Sequence, residues 1–499
     1  MKYMAYSLSF KENALTSVRI LSTHKAWKPW GMRITNPISK SGFFWLPSTP
    51  DHKIPGEITI SNGGKVEIET IGHFRNSPTQ LAQILAGNHD GEARIHGHVQ
   101  EFGDVTVDDC IYTNQTLSTL GGTTLSARNA YLGALISEKE PPLFDSVDFS
   151  FDGLNEWARQ TSLSQSRSED RNEISITYKK PENIDLRIGE GVSLHIIYDY
   201  SSSGSPGTRT LKSTTSLRLS FEEATNIEEA IRLIHRIQNF FSFAMDETTH
   251  LLQINGTHEK YIIQHANNRE TLKPIKIFYH GAYDPGTESP SILAPSMLFH
   301  LRLVKETLEK NLTEWLRYYE VITPTLNLYF SQKSGAYRFL NGRFLALAQA
   351  IETLHRNTSN EKFMDEAAFK DIRRQIITGC PEAFRGRLSP MLIHGNELSL
   401  KERLERVIDP HSKYFGGNEN VETLIKMIKD NRNYLTHYDR ALENKLLDGP
   451  KLYAVCLKIE AILQIKFMEL IGFEESLLDQ IIERSHAIAN KLRPTLTDS

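Results

Sequence analysis

Apolar and polar residues alternate along the first half of the chain, as they do in half-buried β-strands. Residues 58–60 and 66–68 alternate in this way on either side of an Asn-Gly-Gly turn at 62–64, which predicts a β-hairpin. The segment 200–207 is rich in Ser and Gly and predicts an exposed loop. Runs with the same period recur at 105–107, 147–151, 174–178, 192–198 and 216–221. The pattern favours a β-sandwich or a β-barrel.

The period becomes helical at Thr225. Thr225 and Glu228 have the spacing of a capping box, which predicts the start of a helix that packs on the sheet. A Pro- and Gly-containing stretch at 282–290 follows, and the chain beyond it is helical nearly to its end. The buried stripe of the first helix comprises Ile227, Ile231, Ile234, Ile237 and Phe241. The later helices are predicted at 296–320, 340–354, 364–378, 399–408, 420–436, 451–471 and 475–491.

These two patterns predict an α+β multidomain protein, because a chain of 499 residues exceeds what one hydrophobic core supports. We expect a β-rich N-terminal domain, sandwich-like or barrel-like, at 1–280. A linker and a connecting helix follow at 281–334, and an α-helical bundle occupies 335–499.

Composition restricts the class of protein further. A net charge of −4 excludes a generally basic nucleic-acid coat, although it leaves room for a local basic patch. Cys110, Cys380 and Cys456 are far apart, so we expect no disulfide framework, no zinc finger and a reducing compartment. Neither the first 15 residues nor any later stretch reads as a secretion signal or a membrane span. We therefore expect a cytoplasmic protein.

The helix at 420–436 places a charge where an apolar residue is expected. Arg432 falls on the apolar face of this helix, and burying an unpaired guanidinium costs several kcal/mol. Arg432 must therefore have a carboxylate partner, or open onto a pocket where it meets an anion. The apolar face itself comprises Val421, Leu424, Ile425, Ile428 and Leu435.

Arg432 and His437, with the polar Asn433 directly after the arginine, resemble the motif of HEPN ribonucleases. The likeness extends to the N-terminal half, where 42–48, 55–72 and 95–107 resemble the N-terminal domain of ApeA-like proteins. These are bacterial phage-defence proteins in which a sensing domain controls an abortive ribonuclease. One predicted helix of this chain resembles the first HEPN helix of such proteins. It carries Phe344, Leu345, Gln349, Glu352, Leu354, His355 and Arg356.

The resemblance implies metal-independent cleavage of RNA, with tRNA as one candidate substrate and no cofactor. Arg432 and His437 would be the catalytic pair, supported by Asn433 and Glu352. Residues five apart on a regular helix point about 140° away from each other, so a helix ending near Thr436 would help to align them. One motif per chain further implies a homodimer or a higher homo-oligomer. A phage-derived trigger protein or ligand would act at the N-terminal domain.

Several residues have a second interpretation. Glu352 and Arg356 lie four apart on a helix, so they either pair with each other or Glu352 orients the catalytic residues. Arg356, Arg373 and Arg374 either contact RNA phosphates or lie on solvated helix faces. Asp439 either fixes the tautomer of His437 or lies in solvent.

Two broader alternatives also follow from the sequence. His96 and His98 flank a glycine on a predicted strand with no nearby carboxylate or thiolate set, so we expect no metal site there. The rival function is a non-catalytic HEPN module that binds a nucleotide or another protein, with the β-rich half as its partner-binding domain.

Overall fold

The computed structural model describes residues 31–74, 91–116, 121–160, 162–266, 268–281, 285–438 and 440–495. Its N-terminal part is built around a closed six-stranded barrel, in the order β5-β4-β1-β2-β3-β6, which closes because β6 also pairs with β5. The barrel strands are β1 (Ile38–Trp45), β2 (Ile54–Ser61), β3 (Lys65–Ile71), β4 (Glu92–Val99), β5 (Gly103–Gln115) and β6 (Gly122–Ala127). The predicted hairpin is confirmed as the pair β2 and β3.

Every second residue of the barrel strands points inward, so apolar side chains fill the interior. Ile58, Ile60 and Val66 are essentially inaccessible to solvent. Gly97 leaves room for the Phe44 ring, because a Cβ at position 97 would lie 2.7 Å from that ring. The barrel is therefore a packed core.

The sheet continues outward from β5 through seven further strands in the order β7-β17-β14-β8-β13-β12-β11. These are β7 (Asn129–Leu132), β8 (Leu143–Phe151), β11 (Ile184–Gly189), β12 (Val192–Ser205), β13 (Thr208–Asn226), β14 (Leu251–Thr257) and β17 (Ile275–Tyr279). The remaining small elements are the helix α1 (Leu154–Ala158) and the hairpins β9 (Leu163–Arg167) with β10 (Ile174–Tyr178) and β15 (Ile262–Gln264) with β16 (Glu270–Leu272). The predicted β-rich N-terminal fold is confirmed, and it is a barrel with outer strands.

The prediction of a loop at 200–207 is wrong for the backbone conformation. β12 and β13 stay paired from Val192 with Phe221 to Ser205 with Thr208, so most of this segment is strand. The segment is nevertheless exposed. Cross-strand backbone hydrogen bonds hold a hairpin in which the side chains bury little.

Helix α2 (Ile227–Met245) follows β13 and packs on β8 and β13, as predicted. All five residues of its predicted stripe are buried. Its N-cap is Asn226, whose Oδ1 accepts a hydrogen bond from the backbone N–H of Glu228 at 2.9 Å. The predicted cap, Thr225, instead donates its hydroxyl to the carbonyl of Glu223. Asn226, one residue later, caps the helix instead of Thr225, because its side-chain oxygen reaches the backbone N–H of Glu228, which has no partner within the helix.

The C-terminal part is helical, as predicted. Its helices are α3 (Leu301–Val304), α4 (Leu308–Lys333), α5 (Leu340–Thr358), α6 (Glu366–Gly379), α7 (Glu382–Met391), α8 (Leu400–Ile408), α9 (Asn418–His437), α10 (Gly449–Leu470), α11 (Glu475–Arg484) and α12 (His486–Leu492). The single connecting helix predicted at 296–320 is wrong, since a short α3 precedes an α4 that runs on to Lys333. The helix predicted at 475–491 is two helices. None of the helices in the described ranges combines the length and apolar composition that a bilayer crossing requires.

The boundary predicted near residue 280 stays a prediction. Residues 282–284 lie outside the described ranges, as do residues 1–30 at the N-terminus and Asp439. The strands end at Tyr279, and the long helix α4 contacts both α2 and α5. Trp315 of α4 donates its indole N–H to the carbonyl of Arg236 on α2 at 2.9 Å. The β-rich part and the helical part therefore share a continuous core.

A buried ionic cluster joins α2 to the helical part. Asp246, the C-cap of α2, accepts from Lys333 of α4 and from Lys491 of α12, the latter at 2.5 Å. Glu460 of α10 lies 2.7 Å from Lys333 Nζ, 3.1 Å from Lys491 Nζ and 3.0 Å from Arg343 Nη2. Five charged side chains from α2 and four helices of the helical part thus depend on one another. We call Asp246, Lys333, Arg343, Glu460 and Lys491 the interdomain cluster.

The charges of this cluster set the ionisation of Glu460. Burial by itself would raise the pKa of Glu460, but Lys333 and Lys491 outweigh burial and lower its pKa below the ordinary value. A carboxyl whose pKa is lower in the folded chain stabilises the fold above its unfolded pKa. That stabilisation disappears as the pH falls through the folded pKa.

We predict that Glu460→Gln lowers the free energy of unfolding by about 3–5 kcal/mol at pH 7, because the largely buried Lys333 and Lys491 and the half-buried Arg343 lose a charged partner. Urea denaturation measures this. The variant should also lose less stability than the unsubstituted chain as the pH falls below about 4.5. The matched control is Glu475→Gln, whose side chain is 78% exposed beside Lys413 and should cost about 0–1 kcal/mol. Equal losses in the two variants would contradict the account.

Candidate functional site

Helix α9 carries the candidate arginine and histidine, and two glycines fix its start. Gly416 and Gly417 have φ values of 82° and 96°, which only glycine adopts without strain. They turn the chain from a 3-10 segment at Asp409–Phe415 into α9. The predicted apolar face of α9 is buried, and it packs toward α5, α8 and the 3-10 segment. The helix ends at His437, after which Tyr438 adopts a left-handed conformation.

Arg432 is half-buried on this face and has the carboxylate partner that the sequence argument requires. Its Nη2 lies 3.3 Å from Glu352 Oε2 on α5, and its Nη1 donates to Asn433 Oδ1 at 3.3 Å. Both contacts are long for charge-assisted hydrogen bonds. A guanidinium has five N–H donors, so three of them form no hydrogen bond within the described residues. These two contacts therefore fix the position of the guanidinium, and its remaining N–H groups can still bind an anion.

Glu352 connects two arginines, so both of the roles considered for it are compatible with its contacts. Its Oε1 lies 3.0 Å from Arg356 Nη2, while its Oε2 contacts Arg432. Arg356 in turn lies 2.5 Å from Glu397 Oε2, and Glu397 Oε1 lies 2.8 Å from His394 Nδ1. We call Glu352, Arg356, His394, Glu397 and Arg432 the Glu352 network. Its arginines and carboxylates alternate in the order Arg432, Glu352, Arg356 and Glu397, so each of these four side chains holds the next in place.

Two buried residues, Arg403 and His355, support this network. Arg403 is only 4% exposed; its Nε donates to the carbonyl of Leu398, and its Nη1 lies 3.3 Å from His355 Nδ1. The hydrogen bond from His394 and the nearby Arg356 lower the pKa of Glu397, which therefore stays ionised. Burial, together with the Arg403 guanidinium, lowers the pKa of His355. A neutral His355 can accept a hydrogen bond from Arg403, which fits the observed contact.

His437 is exposed at the end of α9. It forms no hydrogen bond or ion pair with any of the described residues, and Asp439, which was considered as its partner, lies outside them. The rings of its neighbours Tyr434 and Tyr438 are in edge contact at 5.9 Å. A histidine side chain can both accept and donate a proton, and here its imidazole is open to solvent and to a substrate.

One chain does not bring Arg432 and His437 together. α9 remains helical through His437, one residue beyond the end that would help to align the pair. Over five residues of regular helix the two side chains diverge by about 140°. Arg432 contacts α5, whereas His437 lies at the exposed helix end. A site that uses both residues therefore requires either a rearrangement of the end of α9 or a second Arg432 and His437 pair from another chain.

The predicted RNA-contacting arginines occupy two different places. Arg356 belongs to the Glu352 network. Arg373 and Arg374 lie on α6, where Arg373 donates to the carbonyl of Ser389 at 3.1 Å and Arg374 pairs with Asp371 at 2.8 Å. Neither contacts the Glu352 network. A role for these two in binding RNA stays a prediction.

Sequence reasoning missed Asn431, which is 1% exposed. Its Nδ2 donates to the carbonyl of Met427, and its Oδ1 accepts from the backbone N–H of Leu447 at 2.9 Å. Asn431 thereby ties the segment after α9 to the helix that carries Arg432. The available signal was a polar residue three positions after Ile428, at the edge of the apolar stripe. Glu397 and Arg403 gave no such signal, because their contacts with α5, at Arg356 and His355, are distant in sequence.

His96 and His98 do not lie together in one site. His96 Nε2 lies 2.8 Å from the carbonyl oxygen of Ile136, and His98 Nδ1 lies 2.9 Å from Asp104 Oδ1. Each imidazole therefore has a partner within the protein, in agreement with a structural role on the barrel.

Two sequence families match this chain. Residues 39–315, more than half of its length, match ApeA N-terminal domain 1. The chain belongs to the ApeA N-terminal domain 1 family. Residues 345–477 match the Apea-like HEPN family, and this range contains Glu352, Arg356, Arg432 and His437. Comparisons with curated proteins and with solved structures gave no match.

The two matches together identify a defence-associated HEPN protein. HEPN domains are generally ribonucleases. The Glu352 network and His437 thus lie within the HEPN domain, on its helices α5 and α9 and on the segment before α8. Asp246, in the range matched by ApeA N-terminal domain 1, contacts the matched HEPN range at Gln464, whose Nε2 donates to Asp246 Oδ1 at 2.7 Å.

We predict that Asn431→Ala lowers the free energy of unfolding by about 1–3 kcal/mol, because the half-buried N–H of Leu447 loses its acceptor. Denaturation monitored by circular dichroism measures this. Lys426→Ala, at an exposed position of the same helix, should change stability by less than about 0.5 kcal/mol. If Asn431→Ala were as stable as this control, Asn431 would not hold the end of the motif.

Proposed function

We propose that this chain is a metal-independent endoribonuclease that cleaves RNA in abortive defence against phage. The observation that supports it best is the setting of Arg432 within the matched HEPN domain. Its guanidinium is held by Glu352 at one edge and keeps unbonded donors, five residues before an exposed histidine. Such a guanidinium suits a phosphate, which it can contact through two oxygens with fixed geometry.

The chemistry follows from these two residue types. A base removes the proton from a ribose 2′-hydroxyl, and the 2′-oxygen forms a bond to phosphorus. The bond from phosphorus to the 5′-oxygen then breaks, and an acid gives that oxygen a proton, leaving a 2′,3′-cyclic phosphate and a 5′-hydroxyl. His437 serves as base or acid, which contributes roughly 10²- to 10⁴-fold. Arg432 stabilises the charge on the phosphorane, which contributes roughly 3 kcal/mol.

We infer that the complete cleft needs two chains. Arg432 and His437 diverge on α9, and each chain has one such pair. In a homodimer, or a higher homo-oligomer, the pairs of two chains line one cleft, so an arginine and a histidine can face the same phosphate. Asn433, which accepts from Arg432 at 3.3 Å, supports the orientation of the guanidinium.

We further propose that the ApeA N-terminal domain keeps the nuclease inactive until it meets a phage-derived protein or ligand. The supporting contact is the interdomain cluster, in which Asp246 of α2 binds Lys333 and Lys491 of the helical part. A shift of α2 would take one of their two carboxylate partners from those cations and leave them only Glu460, so movement in one domain carries an energetic cost in the other. We place this activity in the cytoplasm, with RNA, including tRNA, as substrate.

We predict that His437→Ala lowers the rate of RNA cleavage by about 10²- to 10⁴-fold. Arg432→Lys should lower the rate by about 10²- to 10³-fold despite preserving charge, because an ammonium cannot make the bidentate contact. The measurement is cleavage of total RNA by the full chain in EDTA, together with RNA from cells that overproduce each variant.

Matched controls are His486→Ala and Arg484→Lys, two exposed residues elsewhere in the helical part, which should leave cleavage unchanged. Thermal stability of the His437 variant should stay within about 1 kcal/mol of the unsubstituted chain, because an exposed side chain packs little. Full cleavage by His437→Ala would remove His437 from the mechanism. Absence of cleavage by the unsubstituted chain in both assays would favour the rival, a non-catalytic binding module.

A further inference from the structure

Helices α6 and α7 form an arm in which no helical residue is fully buried within the single chain. Neither helix contains a buried residue, whereas each of the other α-helices in the described ranges buries at least one. Helices of 14 and 10 residues are marginal in water by themselves, since most helical stability in proteins comes from packing an apolar face. We call residues 363–395 the arm.

The arm nevertheless carries large apolar side chains at helical spacing. Ile372 and Ile376 lie four apart on α6, and Phe384 and Met391 lie seven apart on α7 with Leu388 between them. Spacings of four and seven place residues on one face of a helix. The exposed apolar side chains of the arm are Phe363 (60%), Ile372 (40%), Ile376 (44%), Phe384 (62%), Met391 (68%) and Ile393 (57%).

Polar bonds fix the shape of the arm without covering this face. At its base, Asn396 accepts from the backbone N–H groups of Phe363 and Met364 and donates to the carbonyl of Met364. At its tip, Arg385 donates to the carbonyls of Cys380 and Thr378. The arm is therefore preorganised, which lowers the entropic cost of binding a partner.

The charge of the arm indicates what that partner is. The arm contains five basic and four acidic residues, a balance that gives little attraction to a polyanion such as RNA. Arg373, Arg374 and Arg385 are moreover bonded within the arm. A nearly neutral surface with an apolar centre suits an identical surface brought to it by a two-fold axis.

We propose that the arm is the surface through which two copies of this chain pair. Two arms packed face to face make a four-helix bundle, in which the exposed apolar side chains become its core. α6 is about 21 Å long and two helices are about 20 Å wide, so each arm offers about 400 Å². A stable interface buries about 800 Å² on each partner. The remaining area has to come from the HEPN surface at the base of the arm.

That base connects the arm to the Glu352 network. Asn396 clamps the arm, and the next residue, Glu397, binds Arg356 at 2.5 Å. Pairing through the arms therefore brings a second chain to the side of the HEPN domain where Arg356, Glu352 and Arg432 lie. This step rests on the proposed two-chain cleft, whereas the pairing of the arms does not.

The test is the oligomeric state of the full chain in the absence of RNA. Sedimentation equilibrium should show a dimer, and the double variant Ile376→Asp with Phe384→Asp should raise the dissociation constant by at least about 10²-fold, since buried apolar anchors dominate such interfaces. The matched control is Ile174→Asp with Ile176→Asp, at side chains 56% and 57% exposed on β10, which should leave the dissociation constant unchanged. Circular dichroism confirms folding of both.

Hydrogen exchange locates the interface independently. Amides of 366–391 should exchange more slowly as the concentration of the chain rises. A chain that stays monomeric at about 100 μM, or an arm variant that dimerises as tightly as the control, would overturn the proposal. So would protection of the arm in His437→Ala protein that occurs only when RNA is added. A dimer held by the arm that cleaves no RNA would contradict the proposed nuclease and leave the arm standing.

Discussion

The arrangement of the HEPN domain depends on one constraint, the cost of placing a guanidinium on the apolar face of a helix. Arg432 meets that constraint through Glu352 on the facing helix α5, at 3.3 Å. Glu352 is itself shared with Arg356, which is held by Glu397. Without this carboxylate, α9 would carry an unpaired charge against α5. The packing of the two helices and the placement of the candidate site therefore have the same physical cause.

The same rule applies where the two parts of the chain meet. Asp246 ends α2, and the cations around it come from α4 and α12. Because buried charges are costly when they lose a partner, this contact resists separation of α2 from the helical part. It also gives any movement of the N-terminal domain a direct effect on the helices that support the site. A neutral contact between the domains would transmit much less.

Short-range patterns in the sequence were enough for most elements. The stripe from Ile227 to Phe241 and the hairpin around residues 62–64 depend on neighbours close in sequence, and both are confirmed. Closure of the barrel by β5 and β6 and the extension of β12 into 200–205 depend on pairing between distant strands, which periodicity does not encode. The cap of α2 moved by one residue, from Thr225 to Asn226, because both side chains can accept a hydrogen bond from the first turn.

The residues of the candidate site likewise divide into those that the sequence could predict and those that it could not. Arg432 was identifiable because a charge interrupts an apolar stripe, and that argument also required a partner such as Glu352. Glu397 and Arg403 were not identifiable, since the α5 residues that they contact, Arg356 and His355, lie more than 40 residues away in the chain. The divergence of Arg432 and His437 was calculable from helix geometry alone. What geometry could not supply was the surface that brings a second chain to the site.

The chemistry of the RNA ends tests the central claim most directly. RNA cleaved by the full chain in EDTA can be analysed by mass spectrometry at its new termini. Attack by the ribose 2′-hydroxyl, assisted by His437 and Arg432, predicts a 2′,3′-cyclic phosphate on one fragment and a 5′-hydroxyl on the other. New 5′-phosphate ends, or cleavage that stops when divalent metal is removed, would contradict it.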